Sequence, residues 1–235
     1  MTRAADLERA IRGRPSPNPS PTAVAVWAVA AVVVLAVVLT CGFVVVKSPA
    51  FTAGDLRIDQ WLSAHHTASL DAVAVAIDWF LGPTVGLVVS IVATGFVALA
   101  TRRLRPTLTF AVVVGVGWYS NQVVKDLVER PRPDRASLAH PFDPAPGSFS
   151  YPSGHTAIAT VLVIAALAVL PAARRGMLAP LAVAIVLVVA ASRVYLGVHY
   201  VSDVVAAMLW CSAAAVLLLL VCRAVGTPHR REHHS

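Results

Sequence analysis

The sequence predicts an all-α fold, a polytopic membrane protein with six transmembrane helices and both termini cytoplasmic. Three observations carry this reading. Hydrophobic residues make up 57% of the 235, and charged residues only 13%, against about 25% charged in soluble domains. Mean hydropathy is +0.74. Six long runs carry no charge, and the Lys and Arg residues between them alternate in density from one run to the next.

The runs are Ala23–Val46, Trp79–Thr101, Pro106–Val124, Thr156–Ala173, Gly176–Ser192 and Val204–Cys222. Each falls within the roughly 17–25 residues that a helix needs to cross a bilayer. In lipid the backbone must satisfy its own hydrogen bonds, which leaves helices or closed barrels, and uninterrupted apolar runs of this length specify helices. Residues 1–22 form a polar tail whose "RGRPSPNPSPT" is Pro- and Ser-rich and reads as disordered. The first run is too long for a signal-peptide core and is followed by Lys47-Ser48-Pro49, so it is expected to be a retained span. Gly82 and Gly86 make a G-x-x-x-G pair, read as close helix packing. Cys41, Cys211 and Cys222 lie in apolar runs without metal-ligand spacing and read as packing residues. The membrane domain is thus 23–222, followed by a basic tail, 223–235. His229, His233 and His234 decorate that tail without acidic or cysteine ligands at metal spacing.

Orientation follows from charge. Twelve basic residues (Arg3, Arg9, Arg12, Arg14, Arg102, Arg103, Arg105, Arg174, Arg175, Arg223, Arg230 and Arg231) fall on one side, and the other seven on the opposite side. Basic loops stay in the cytoplasm. This also accounts for the net charge of +7 without a nucleic-acid partner.

With this topology the outer helix ends gather every unusual residue. The third run ends at Lys125 and leads into Arg132; the fourth opens at Ser153-Gly154-His155; the fifth ends at Ser192-Arg193, and His199 and Asp203 lead into the sixth. Any one of them reads as an interfacial anchor, but three helix ends with the same chemistry do not. Lys125, Arg132 and Arg193 suit a tetrahedral anion, the arginines supplying forked donors. The amides around Ser153 and Gly154 open a helix, where phosphate binds well, and Gly154 has no side chain to keep an anion away. His199 and Asp203 are one helical turn apart, so the carboxylate can stabilise an imidazolium and leave the other ring nitrogen to attack. His155, with no neighbouring acid in sequence, is the better proton donor to a leaving oxygen.

These residues make the sequence similar to the type 2 phosphatidic acid phosphatase superfamily of membrane lipid phosphatases, whose active-site pattern is shared with vanadium haloperoxidases. Its first motif, Lys-x6-Arg-Pro, matches Lys125 through Arg132-Pro133; its second, Pro-Ser-Gly-His, matches Pro152 to His155. Its third, Ser-Arg-x5-His-x3-Asp, matches Ser192-Arg193, His199 and Asp203. The resemblance implies a six-helix fold and removal of phosphate from a lipid without a metal or other cofactor. It implies His199 as nucleophile, His155 as general acid and then base, and Asp203 as orienter of His199. Lys125, Arg132, Ser153, Gly154 and Arg193 would hold the phosphoryl oxygens.

The expected setting is the plasma membrane, with the site on its extracytoplasmic side. Polyprenyl diphosphate is the favoured lipid over phosphatidate and phosphatidylglycerophosphate, because Arg130 and Arg135 offer spare positive charge for a second phosphate or for anionic headgroups. His65, His66 and His140 read as solvated or interfacial loop residues. A phosphotransferase on the same scaffold would use a hydroxyl in place of water. A secondary transporter would carry its charges near the midplane rather than at helix mouths.

Overall fold

The computed structural model describes residues 20–143 and 148–225, and these form helices and connecting loops with no strand among them. The helices are α1 (Pro21–Val46), α2 (Pro49–Ser63), α3 (Ala68–Leu81), α4 (Pro83–Thr101), α5 (Leu104–Val128), α6 (Gly154–Val169), α7 (Ala172–Tyr195) and α8 (Val201–Val225). The basic residues before Ser20, Arg230, Arg231 and the tail histidines lie outside the described residues.

Proline placement explains the punctuation. Pro21, Pro49 and Pro83 stand at helix starts, where a missing N–H costs nothing and φ is already helical. Ser20, Ser48 and Thr67 accept N-cap bonds from Ala23, Phe51 and Leu70. The chain reverses from α4 into α5 at Arg102, whose φ of 50° is left-handed.

α1, α4, α7 and α8 are long and apolar enough to cross a membrane, and α6 is a shorter apolar helix. α5 is equally long, but Trp118 to Gln122 and Lys125-Asp126 interrupt its apolar character. The helices are those of a multi-pass membrane protein. α5, α6 and α8 pack on one another, α1 lies on α8, α4 on α5, and α7 against α6. Val113, Ala157, Val161, Ala207 and Cys211 are fully buried where α5, α6 and α8 meet. Gly86 of α4 leaves room for the tip of the Ile158 side chain of α6, since a Cβ there would lie 2.9 Å from Ile158 Cδ1. Arg105 donates to the Arg223 carbonyl at 3.4 Å, so the α4–α5 turn and the end of α8 share one end of the bundle.

The structure departs from the expected helix plan between the first two runs. Two helices, α2 and α3, stand where the sequence predicts no span, because their charged residues break the apolar pattern. The second run does not begin at Trp79: Gly82-Pro83 ends α3 and starts α4, since proline cannot donate to the preceding turn. α2 buries Asp55, Asp59 and Ser63, one polar stripe at helical spacing.

Candidate active site

The opposite end of the bundle collects the ends of α3, α5 and α7 and the starts of α6 and α8. α5 delivers Gln122 and Lys125 and stops at Glu129, whose left-handed φ of 52° turns the chain into Arg130-Pro131-Arg132. Ser150 pins this loop, its N–H donating to the Arg130 carbonyl at 2.8 Å and its hydroxyl to that of Pro131 at 3.0 Å. After α7 the chain turns at Gly197, where φ is +64°. Only glycine adopts this region readily, and a Cβ would collide with Leu138. The turn brings the Val198 N–H to the Arg193 carbonyl at 3.2 Å and so sets His199 beside the end of α7. The Ser153 N–H donates to the Asp203 carbonyl at 3.1 Å, which ties the start of α6 to that of α8.

These connections enclose a cavity of about 160 Å³ lined by Lys125, Arg132, Gly154, His155, Arg193 and His199, with Asp78, Leu81, Trp118, Gln122 and Ser148 completing much of its wall. Two histidines and three cations thus share one small chamber.

His199 is 2% exposed and lies between a cation and an acid. Its Nε2 is 3.3 Å from Arg132 Nη1, and its Nδ1 3.4 Å from Asp203 Oδ2. A guanidinium only donates, so Nε2 accepts and the ring proton sits on Nδ1, facing the carboxylate. The Nδ1 contact has ion-pair distance without hydrogen-bond alignment. Burial first, then Arg132 and Lys125, hold the imidazole well below its ordinary pKa, leaving a lone pair on Nε2 at neutral pH. Burial also pulls Arg132 down from its ordinary range against Asp203 and Asp78, though an arginine stays charged at neutral pH.

Each cation is held in place. Arg132 donates from Nη1 to the Val198 carbonyl at 2.6 Å, and from Nε and Nη2 to the Ser148 carbonyl and hydroxyl at 3.1 and 2.7 Å. Lys125 Nζ donates to the Phe149 carbonyl at 2.9 Å. Arg193 donates from Nη1 to Asp78 Oδ1 at 2.5 Å and from Nη2 to the Ala74 carbonyl at 2.8 Å.

Several expectations change. His155 does have an acid beside it: its Nε2 lies 3.5 Å from Asp78 Oδ1 and 3.0 Å from the Asp78 carbonyl. Asp78 is 77 positions away in sequence, so no local spacing links it to His155. Its only signal is a lone acid just before an apolar run. Ser153, expected to hold phosphoryl oxygens, is buried and does not line the cavity. The Ser153 hydroxyl makes no N-cap bond and instead accepts from Thr156 Oγ1 at 3.2 Å, so helix capping does not explain this serine. Arg130 offers no charge to a second phosphate or to headgroups. It is 1% exposed and pairs with Asp203 at 2.6 Å and Asp55 at 3.2 Å. Arg135 pairs with Asp143. His66 is not solvated: its ring stacks on Tyr195 at 4.1 Å and its Nδ1 lies 3.0 Å from Asp71.

A family profile described as the PAP2 superfamily matches residues 106–226. Phosphatidylglycerophosphatase B of Bacillus subtilis (strain 168) is 36% identical over 157 residues, 60% of this chain and 75% of that protein. The decaprenylphosphoryl-5-phosphoribose phosphatase of Mycobacterium tuberculosis (strain ATCC 25618 / H37Rv) is 38% identical over 110 residues, 47% of this chain and 57% of that one. The crystal structure of a transmembrane PAP2-type phosphatidylglycerolphosphate phosphatase from Bacillus subtilis superposes with a TM-score of 0.68 at 23% identity, covering 87% of this chain and 98% of that one. That likeness shows a shared fold, and the profile spans all three motifs from Lys125 to Asp203, so the chain belongs to the PAP2 superfamily.

Proposed function

We propose that this protein is a membrane lipid phosphatase that cleaves a phosphate ester through a phosphohistidine on His199. One observation carries the reading: His199 and His155 line the same small cavity as Lys125, Arg132 and Arg193, with Asp203 behind His199. His199 Nε2 attacks phosphorus and the P–O bond to the lipid breaks. A proton from His155 converts the leaving alkoxide to an alcohol. Water then attacks the phosphohistidine, His155 takes the water proton, the P–N bond breaks, and inorganic phosphate leaves. Lys125, Arg132 and Arg193 stabilise charge on the phosphoryl oxygens, and the Gly154 backbone lies open to them. No step requires a divalent ion, and a chamber with three cations is a poor cation site.

The substrate we favour is a lipid phosphomonoester. Arg130, half of the argument for a diphosphate, is buried and engaged with Asp55 and Asp203. The relatives named above are phosphatases of phosphatidylglycerophosphate and of a decaprenylphosphoryl sugar phosphate. An apolar groove of about 620 Å³ between α3, α4, α6 and α7 shares Leu81 with the site cavity and suits an acyl or prenyl chain. We place α5 and α6 among six spans, with the cavity on the extracytoplasmic side. Phosphate release from phosphatidate, phosphatidylglycerophosphate and undecaprenyl diphosphate in one detergent tests the assignment. The monoesters are expected to turn over faster; faster release from the diphosphate reverses the substrate preference, and release from none refutes the activity.

A further inference from the structure

We propose that Asp55 and Arg130 are positioning residues for His199, together setting the orientation and net charge of the carboxylate that backs it; this rests on the phosphohistidine reading above. Asp203 divides its two oxygens. Oδ2 faces His199 Nδ1 at 3.4 Å and accepts from the Tyr200 N–H at 3.0 Å, while Oδ1 accepts from Arg130 Nη1 at 2.6 Å. Arg130 is held through its two terminal nitrogens, while its buried Nε has no hydrogen-bond partner among the described residues. It donates to Ser202 Oγ at 2.7 Å and to Asp55 Oδ2 at 3.2 Å, and its guanidinium lies 3.9 Å from the Tyr200 ring centre. Ser202 closes the ring by donating to Asp55.

The charges in this ring explain why α2 is there. A carboxylate behind an attacking histidine works by stabilising the cation that forms on the ring. Arg130 alone would cancel the Asp203 charge and remove that stabilisation. Asp55 adds a second carboxylate, so the buried trio carries one net negative charge toward His199. Asp59 does not add to it at neutral pH. It is fully buried without a hydrogen-bond partner among the described residues, and burial beside Asp55 and Asp203 pushes its carboxyl up to about 8. A helix recruited for packing alone would bury apolar side chains, whereas the buried face of α2 is Asp55, Asp59 and Ser63. Neither Asp55 nor Asp59 lies within the matched family region, residues 106–226.

The test is steady-state turnover of phosphatidylglycerophosphate by the full chain in detergent at pH 7, comparing wild type, Asp55→Asn, Arg130→Gln and the double variant. Asp55→Asn leaves a neutral Arg130–Asp203 pair and is expected to lower kcat roughly tenfold or more, with KM within about twofold because neither residue lines the cavity. The double variant restores one net negative charge through Asp203 alone and is expected to exceed Asp55→Asn in kcat. Cumulative loss of buried contacts predicts the reverse, so a double variant at or below Asp55→Asn overturns the proposal, as does wild-type kcat in Asp55→Asn. If Asp55→Asn does not fold, Asp55→Glu decides: it keeps the charge and is expected to retain kcat within about threefold, and a loss of roughly tenfold or more in it overturns the proposal. Wild-type protein without phosphate release refutes the proposed activity instead, which separates the two failures.

Discussion

His199 and His155 share a chamber but differ in surroundings, and that difference makes their roles separable. His199 has its proton directed at Asp203 and its lone pair at Arg132, so His199→Ala is expected to abolish turnover of every substrate. His155 matters most when the leaving oxygen is a poor one. With p-nitrophenyl phosphate, His155→Ala is expected to transfer phosphate to the enzyme and then stall, so that quenching without acid traps labelled phosphohistidine. Label in His199→Ala and none in His155→Ala would reverse the assignment. The acid limb of kcat/KM follows from the same environment. Attack requires neutral His199, and burial with Arg132 and Lys125 holds its pKa below the ordinary value. The reactive form therefore persists as pH falls through about 6.5, the ordinary histidine value. An acid limb whose midpoint lies above that value argues against His199 as the group controlling it.

At the scale of elements, the site depends on turns and on a helix that carry no motif residue. Gly197 at φ +64° sets the turn that delivers His199. Gly197→Ala is expected to cost about 1–3 kcal/mol from the backbone alone, plus the clash with Leu138, read as a lower melting temperature together with reduced kcat. α3 supplies Asp78, which touches both Arg193 and His155. Asp78→Asn is expected to lower kcat roughly tenfold by loosening two site residues at once. A variant that changes only KM would mean that Asp78 serves substrate entry. Neither α2 nor α3 was legible as an element. Their mixed charged and apolar residues resemble a loop between spans, and only packing against α7 and α8 buries the polar face of α2.

For the whole molecule, the expectation is that the Arg102–Arg105 turn faces the cytoplasm and the 133–149 loop faces outward. In a cysteine-free background, a membrane-impermeant thiol reagent is expected to label a cysteine at position 140 and spare one at 103 in intact cells. The opposite pattern inverts the topology. Phosphate release is expected to survive EDTA, and vanadate to inhibit by occupying the cationic chamber. Activity lost in EDTA and restored by magnesium would require a metal that Lys125, Arg132 and Arg193 are ill suited to hold.

The sequence by itself determined the helical class and the family. Transfer of apolar side chains into lipid and internal satisfaction of backbone hydrogen bonds are local in sequence, so long uncharged runs declare them. The motif residues could also be read by spacing, because Lys125, Arg132, His155, Arg193 and His199 sit at helix ends that the topology must bring together. Only the tertiary structure decided what stands behind them. Asp78, Asp55 and Arg130 take their roles from partners 115, 75 and 73 residues away, and buried charges are tolerated only where such partners meet them. A lone acid before an apolar run looks the same in sequence whether it ends in water or against an arginine. Which of these it does is a property of the packed bundle.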